Sequence, residues 1–417
     1  NIHDPAGASI MSLPEISIHQ SHQNAAALVD SACPESVNDV LDVARCDLAR
    51  NTISQWAGYQ PTALHSLTGL AGEIGVGALY YKDESTRFGL GSFKALGGAY
   101  AVQHVLRQTL DAEVPDTEVS LEAINSQQFA DRVKNITVVT ATDGNHGRSV
   151  AWGAQRFGCE CMIYMHENVS QGRQEAVEAF GAKVVRVPGN YDDSVRQADQ
   201  DAKANGWHIV SDTSYPGYME IPRDVMAGYT LMTTEAMDQL PEGAIPTHVF
   251  IQGGCGGLAG AVGADLWHRY GDRMPHLTVV EPVPAACLYE SARAGTPQLV
   301  NIVDESLMAG LSCGEVSLLG WQILHPGARH FMTISDAPVA PLMQMLAAGV
   351  SGDSPVVAGE SAIAGLAGLI GAMQNEPLAQ QMNLDAKSCV LVFGTEGATD
   401  PEVFEALVGT SAEKIAA

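Results

Sequence analysis

Short strands and amphipathic helices alternate along this chain, and the alternation restricts its fold more than any other feature. Strands are predicted at residues 136–141, 161–165, 183–187 and 208–211, separated by helices at 150–157, 170–180 and 194–205. Alternation of this kind is typical of parallel sheets that are covered by helices on both faces. We therefore predict an α/β fold.

The second half of the chain repeats the alternation. Helices are predicted at residues 224–240, 258–270 and 359–373, strands at 248–252, 277–281 and 388–393, and two earlier helices at 36–50 and 95–110. A chain of 417 residues fits two sheets better than one. We predict two three-layer αβα domains with mainly parallel sheets. The large domain comprises residues 1–96 and 212–417, and the small domain comprises residues 97–211, with a polar insertion near 111–135.

The charge balance argues against several classes of partner. The chain has 22 Lys and Arg against 48 Asp and Glu, a net charge of −26. So acidic a surface repels nucleic acids and anionic membranes, and no apolar run approaches the ~20 residues of a transmembrane helix. The eight cysteines form neither a dense disulfide pattern nor a C-x-x-C zinc site, and residues 1–5 lack the features of a secretory signal. We expect a reduced cytoplasmic protein without a metal site.

A glycine-rich loop follows one of the predicted strands. Residues 253–257 read Gly-Gly-Cys-Gly-Gly, directly after strand 248–252 and before a helix. Glycines let the backbone approach a ligand closely, and the N–H groups at a helix start attract anions, so this loop is a candidate phosphate site. It has neither the lysine of a Walker loop nor the spacing of the dinucleotide fingerprint. A simple tight turn is the alternative interpretation.

Three other strands end in polar segments. These are residues 142–148 with Asp143, Asn145 and His146, residues 211–215 with Asp212, and residues 393–399 with Thr395. Parallel sheets bind their ligands at the carboxyl ends of the strands. The alternative is structural, because Asp and Asn also cap helices and shape turns.

Lys94 stands in an unusual context. Phe93 precedes it, small residues follow it, and a strand predicted at 77–82 leads towards it. A solvated surface lysine is the ordinary interpretation. Burial would favour the neutral amine, which forms a Schiff base with an aldehyde. With a phosphate loop and a hydroxyl for a ring nitrogen, the predicted ligand is pyridoxal 5′-phosphate.

These motifs resemble those of the tryptophan-synthase-β-like, fold type II pyridoxal-phosphate enzymes. The matching segments are Ser-Phe-Lys at 92–94, Asp-Gly-Asn-His-Gly at 143–147, the glycine loop and Gly-Glu-Ser at 359–361, and the resemblance covers most of the chain. The chain is most similar to the branch of the family that eliminates ammonia from 2,3-diaminopropionate. The characteristic segments are Lys-Asp-Glu-Ser at 82–85, Met-Ala-Gly-Leu at 308–311 and Thr-Glu-Gly at 395–397. Related serine/threonine dehydratases typically carry Ser in place of Asp143.

The resemblance implies a role for each candidate residue. Lys94 would bind the cofactor covalently and remove the α-proton, and Asp143 and Asp212 would address the second amino group or the opposite face of Cα. The implied cofactor contacts are Phe93 against the ring, Asn145 at the phenolic oxygen, Gly253, Gly254, Cys255, Gly256 and Gly257 at the phosphate, and Thr395 at the pyridine nitrogen.

The implied reaction is the α,β-elimination of a small amino-acid substrate, 2,3-diaminopropionate, to pyruvate and ammonia by a homodimer. A serine/threonine-type dehydratase, a lyase of another β-substituted amino acid, or a binding protein without activity are the alternatives. Tyr215 and Pro216 stand where a Trp-Glu pair is usual, which leaves the exact amino acid open. Cys287 and Cys313 match positions where relatives can have a nearby cysteine pair.

Overall fold

Two separate sheets form the framework of this computed structural model, which describes residues 12–114 and 116–416. The strands are β1 Ile18–Gln23, β2 Leu64–Ser66, β3 Ala78–Asp83, β4 Thr137–Ala141, β5 Glu160–His166, β6 Lys183–Val187, β7 His208–Ile209, β8 His248–Gln252, β9 His276–Pro282, β10 Ala328–Ile334 and β11 Cys389–Gly394. The seven-stranded sheet has the order β1-β10-β9-β8-β11-β3-β2, and the four-stranded sheet has the order β6-β5-β4-β7. Among the strands of the described residues, only β1 and β2, at the edges of the large sheet, pair antiparallel to their neighbours. The predicted α/β class with mainly parallel sheets is confirmed.

Helices connect the strands and cover the sheets. They are α1 Glu35–Asn38, α2 Val43–Ile53, α3 Thr68–Ile74, α4 Gly98–Glu113, α5 Leu121–Asn125, α6 Ala130–Val133, α7 Asn145–Phe157, α8 Gln171–Glu178, α9 Tyr191–Asn205, α10 Glu220–Gln239, α11 Gly257–Tyr270, α12 Cys287–Ala294, α13 Leu318–Gly327, α14 Val339–Ala348, α15 Ala364–Met373, α16 Glu376–Gln381, α17 Pro401–Val408 and α18 Ala412–Ala416. Short 3-10 turns occur at Glu84–Gly89, Phe93–Leu96, Gly271–Arg273, Val283–Ala285 and Ala309–Leu311.

The central strands are buried on both faces. Every residue of β8 and β9 is buried, which explains why these segments are apolar runs rather than alternating ones. The Gly/Ala-rich helix α15 packs directly on this part of the sheet, and a Cβ on Gly365 would lie 2.7 Å from the carbonyl oxygen of Phe250. Only glycine permits so close an approach of a helix to a strand.

Several predicted boundaries differ from the structure. Residues 36–50 form two helices rather than one, because the Asp42 carboxylate accepts a hydrogen bond of 2.7 Å from the Arg45 amide and caps a new helix, α2. The helix predicted at 359–373 begins only at Ala364. The strands predicted at 183–187 and 248–252 are confirmed.

The domain division stays a prediction. The strands of the large sheet lie within residues 18–83 and 248–394, and those of the small sheet within residues 137–209. The prediction of no secretory signal concerns residues 1–5, which lie outside the described residues. Within the described part of the chain, every helix is too short or too polar to cross a lipid bilayer.

Three buried histidines form a row across the large sheet. His248 and His276 are the first residues of β8 and β9, and His330 lies near the start of β10. Their rings stack with centroids 5.2 and 4.8 Å apart, and a hydrogen bond of 2.7 Å joins His276 Nε2 to His330 Nδ1. This histidine row lies at the amino ends of the parallel strands, opposite the edge where ligands of such sheets bind.

Candidate active site

Lys94 lies in the 3-10 turn Phe93–Leu96, between β3 and α4. The α-helix predicted from residue 95 is therefore wrong at its start, because α4 begins at Gly98. The chain passes very close to α10 here, since a Cβ on Gly97 would lie 2.5 Å from the ring of Tyr229. The Phe93 amide donates a hydrogen bond of 3.0 Å to the Thr395 carbonyl oxygen, so the turn is held between α10 and the end of β11.

A buried ion cluster of Lys82, Glu84, Arg87 and Glu235 anchors the segment that leads to Lys94. Arg87 lies 2.7 Å from Glu84 and 2.7 Å from Glu235, and Lys82 Nζ lies 2.9 Å from Glu235. All four side chains are buried. Charges in such surroundings require partners, and these four satisfy one another. Since Glu235 belongs to α10, the cluster ties the turn region to that helix.

The Lys94 ammonium donates a hydrogen bond of 2.6 Å to Asp212 Oδ2. Burial lowers the pKa of Lys94, but the attraction of Asp212 outweighs it and holds the pKa well above the usual value. Burial raises the pKa of Asp212, but Lys94 and, to a smaller extent, His146 hold it below its usual range. Both groups are therefore charged at neutral pH. Each side chain still exposes 23% of its surface, so a small molecule can reach the pair.

The glycine loop 253–257 connects β8 to α11 with an unusual backbone. Gly254 and Gly256 have φ of +63° and +100°, in the left-handed region, and a Cβ on Gly253 would lie 2.5 Å from Glu281 Cγ. No acceptor in residues 12–114 and 116–416 takes a hydrogen bond from the amides of Gly254 or Cys255. These free donors precede a helix N-terminus, an arrangement that suits a phosphate group.

Thr395, just after β11, presents a hydroxyl that is held in one orientation. Gln252 Nε2 donates to Thr395 Oγ1 at 3.0 Å and to the Phe393 carbonyl at 2.7 Å. The Thr395 hydroxyl therefore accepts one hydrogen bond from Gln252 and keeps its own proton for another partner. Such a hydroxyl can donate to a ring nitrogen. Gln252 was not singled out in the sequence, because an apolar strand gives no sign of one functional amide.

Asn145 begins α7 and bonds to a carboxylate from the other sheet. Its Nδ2 donates to Glu396 Oε2 at 2.7 Å, and Glu396 Oε1 accepts the Ser361 amide at 3.0 Å. Burial raises the pKa of Glu396. Asn145 is thus fixed between the two sheets, which suits the predicted contact with a cofactor oxygen.

Two aromatic rings flank Lys94. The Lys94 ammonium lies 5.3 Å from the centroid of the Phe93 ring and 5.7 Å from that of Tyr229, and the two ring centroids lie 4.8 Å apart. Phe93 was predicted at the site, whereas Tyr229 was missed, because it lies within a helix whose neighbours are ordinary core residues.

The Asp143 side chain is not hydrogen-bonded to the other candidate residues in the part of the chain that the structure describes. Its side chain is exposed, and its carboxylate has no hydrogen bond or ion pair among the described residues. Only its carbonyl oxygen is used, as the acceptor of a 2.8 Å hydrogen bond from Arg173. Its catalytic role stays a prediction.

Two thiols, Cys287 and Cys313, lie beside the glycine loop, which itself contains Cys255. Cys287 Sγ lies 3.5 Å from the Gly254 carbonyl oxygen, and a hydrogen bond to Cys313, together with burial, raises the pKa of Cys255. All eight cysteines are free thiols in this structure. The Cys287 and Cys313 pair is therefore not bridged here.

Comparisons with known proteins show which sequences this chain resembles. The sequence profile of the family described as pyridoxal-phosphate dependent enzyme matches residues 56–394. Diaminopropionate ammonia-lyase of Salmonella typhimurium is 39% identical over 358 residues, which cover 84% of this chain and 88% of the relative. The enzyme of the same name from Escherichia coli K12 is 40% identical over 370 residues, which cover 87% of this chain and 90% of the relative.

The structural comparison gives the same result. The crystal structure of diaminopropionate ammonia lyase from Escherichia coli in complex with D-serine superposes with a TM-score of 0.85 at 35% identity. The superposition covers 95% of this chain and 98% of that chain.

Proposed function

We propose, from the premise that the chain belongs to the family of pyridoxal-phosphate dependent enzymes, that it eliminates ammonia from 2,3-diaminopropionate and yields pyruvate and a second ammonia. The observation that carries the proposal is the 2.6 Å contact between Lys94 and Asp212. It joins two groups that can exchange a proton, at the edge where the glycine loop, Asn145 and Thr395 converge. The names of the two ammonia-lyase relatives support the choice of substrate.

The residues present fit pyridoxal 5′-phosphate. The free amides of Gly254 and Cys255 and the start of α11 would hold its phosphate, and the Thr395 hydroxyl would meet its ring nitrogen. Lys94 would supply the amine that binds its aldehyde. When bound, the cofactor supplies an electron sink for the negative charge that develops at Cα.

The side chains of this chain carry the proton transfers in our proposal. Lys94 removes the proton from Cα, and the aromatic rings of Phe93 and Tyr229 limit the access of water to its amine. Asp212 is ionised in the resting site, so it first accepts a proton from a neighbouring group and then delivers that proton to the β-amino nitrogen as the C–N bond breaks. Asp143, from the end of β4, serves the opposite face of Cα.

The proposal also covers the domain organisation, the oligomeric state and the cellular location of the protein. We assign residues 1–96 and 212–417 to a large cofactor-binding domain and residues 97–211 to a small domain, and the two separate sheets support this division. We also propose a homodimer, which sedimentation analysis would test. The eight free thiols support a reducing, cytoplasmic location.

The substrate assignment is tested with a panel of amino acids. The purified enzyme, supplied with the cofactor, is incubated with D- and L-2,3-diaminopropionate, serine or threonine, and the oxo-acid product is measured. We expect pyruvate from diaminopropionate, and a loss of about 10³-fold in the Lys94→Ala variant. Oxo-acid from serine or threonine, with none from diaminopropionate, would instead favour the dehydratase.

A further inference from the structure

His146 is a buried histidine whose second ring nitrogen has no partner. It is the second residue of α7 and is 8% exposed. Its Nε2 lies 2.9 Å from the Val210 carbonyl oxygen, which can only accept, so Nε2 carries a proton. Its Nδ1 is buried and makes no hydrogen bond to any described residue. Burying a ring nitrogen without a hydrogen-bond partner lowers the stability of the fold, so its presence requires an explanation.

The unpartnered nitrogen lies beside the proposed acid. His146 Nδ1 is 3.8 Å from Asp212 Oδ2, the same oxygen that accepts the hydrogen bond from Lys94. In a neutral imidazole, the Nδ1 lone pair would oppose the carboxylate, whereas a proton on Nδ1 would turn the contact into attraction. The contact therefore favours a proton between the two groups.

The importance of this contact grows when Lys94 reacts. Lys94 carries no ammonium hydrogen for Asp212 while it is linked to an aldehyde, nor as the free neutral amine that is about to take the Cα proton. Among the described residues, His146 is then the remaining basic side chain within ion-pair distance of this carboxylate. The ionisable groups around the pair come from several elements: Lys94 from the 3-10 turn, Tyr229 from α10, Cys255 from the glycine loop, Tyr191 from α9 and Tyr218 from the segment before α10.

We propose that His146 is a positioning residue that holds Asp212 and shares one proton with it during the elimination. The inference rests on the proposed function, because it assumes that Asp212 is the acid. The Nδ1–H bond of the imidazolium breaks as the O–H bond of Asp212 forms. That proton passes to the β-amino nitrogen as the C–N electron pair leaves with it. Water returns a proton to Nδ1 after the products depart.

The shared proton can be observed directly by NMR. In holoenzyme labelled with ¹⁵N-histidine, the His146 signal is identified by its absence in His146→Asn. We expect Nδ1 to be protonated at pH 7 in the wild type and to lose this proton in Asp212→Asn, which removes the charge but keeps the shape. An unprotonated Nδ1 in the wild type, or the same state in both proteins, would overturn the proposal.

Kinetics provide the second test. We expect His146→Asn to lower kcat by about 10²-fold with little change in KM, and to shift the acid limb of the pH profile. The matched control is His104→Asn, because His104 is also buried and lies 3.6 Å from Asp224, outside the proposed site. This control should leave kcat unchanged. An unchanged kcat and pH profile in His146→Asn would refute the role of His146.

The outcomes separate the two levels of the proposal. If the wild type catalyses the elimination and His146→Asn catalyses it equally well, only the inference about His146 is refuted. If the wild type forms no pyruvate from diaminopropionate, the proposed function is refuted. The NMR comparison still decides whether His146 and Asp212 share a proton. If His146→Asn does not fold, the His146 signal is identified with His146→Gln instead, and the comparison of wild type with Asp212→Asn decides.

Discussion

The histidine row predicts a specific loss of stability in acid. Burial, with a smaller contribution from neighbouring cationic groups, lowers the pKa of His276 to about 2 and that of His330 to about 4, from an ordinary 6.5. Both are therefore neutral in the folded protein at pH 5, whereas they are largely protonated in the unfolded chain. Because the unfolded state binds more protons below pH 6.5, the free energy of unfolding falls as the pH decreases through this value.

The size of the effect follows from proton linkage. With one pKa unit worth about 1.36 kcal/mol, each histidine lowers the free energy of unfolding by about 2 kcal/mol between pH 7 and pH 5. The result is nearly the same for His276 and His330, because both folded pKa values lie below pH 5. Replacing His276 by Gln should remove about 2 kcal/mol of this pH dependence.

Urea unfolding followed by tryptophan fluorescence measures the effect at the two pH values. Comparing pH 7 with pH 5 within each protein cancels the change in packing that the substitution itself causes. The matched control is His19→Gln, because His19 is an exposed residue of β1, and it should leave the pH dependence unchanged. If wild type and His276→Gln lost the same stability between pH 7 and pH 5, the assignment of acid sensitivity to this row would be wrong.

Three further predictions concern the site. Asp143→Asn should weaken the turnover of D-2,3-diaminopropionate more than that of the L-isomer in a pyruvate assay, and equal losses would argue against its place on the opposite face of Cα. Gly253→Ala should lower the unfolding free energy by about 1–3 kcal/mol, since the new Cβ would overlap the Glu281 side chain. Gly257→Ala should leave the unfolding free energy unchanged, because no atom would lie nearer than 3.8 Å to its Cβ. Thr395→Val should reduce kcat about tenfold without changing the melting temperature, because the Gln252 amide that bonds the Thr395 hydroxyl keeps two carbonyl acceptors. A lower melting temperature of the variant would contradict this reasoning.

The predictable part of the fold follows from local composition. Strand β8 is a mainly apolar run and β6 has three valines among its five residues, both lie between turn-forming residues, and their bounds were correct. Strand β10 was missed because its Arg and His interrupt the apolar pattern, although His330 is buried by its neighbour in the row. The helix after Lys94 was predicted to begin at residue 95 instead of Gly98, because the local sequence does not reveal the close approach of α10 at Gly97.

The candidate site was predictable as a set of residues but not as a set of contacts. Lys94 and Asp212 are 118 residues apart, and nothing in either segment indicates that they are bonded. Their meeting depends on how the small sheet lies against the turn that follows β3. Glu396 and Tyr229 were missed for the same reason, since each contributes through a long-range contact to Asn145 or Lys94.

The buried ion cluster restricts how the sequence of this protein can diverge. Lys82 and Arg87 balance Glu84 and Glu235, so the four charges sum to zero. Removing one of them leaves an unpaired buried charge, at a cost of about 3–5 kcal/mol, whereas a well-packed apolar replacement of the whole set can be neutral. Each single substitution in the cluster therefore produces a destabilised protein, whereas replacing all four residues together does not. We expect homologues to keep all four charges or to lose them together, with few intermediate combinations.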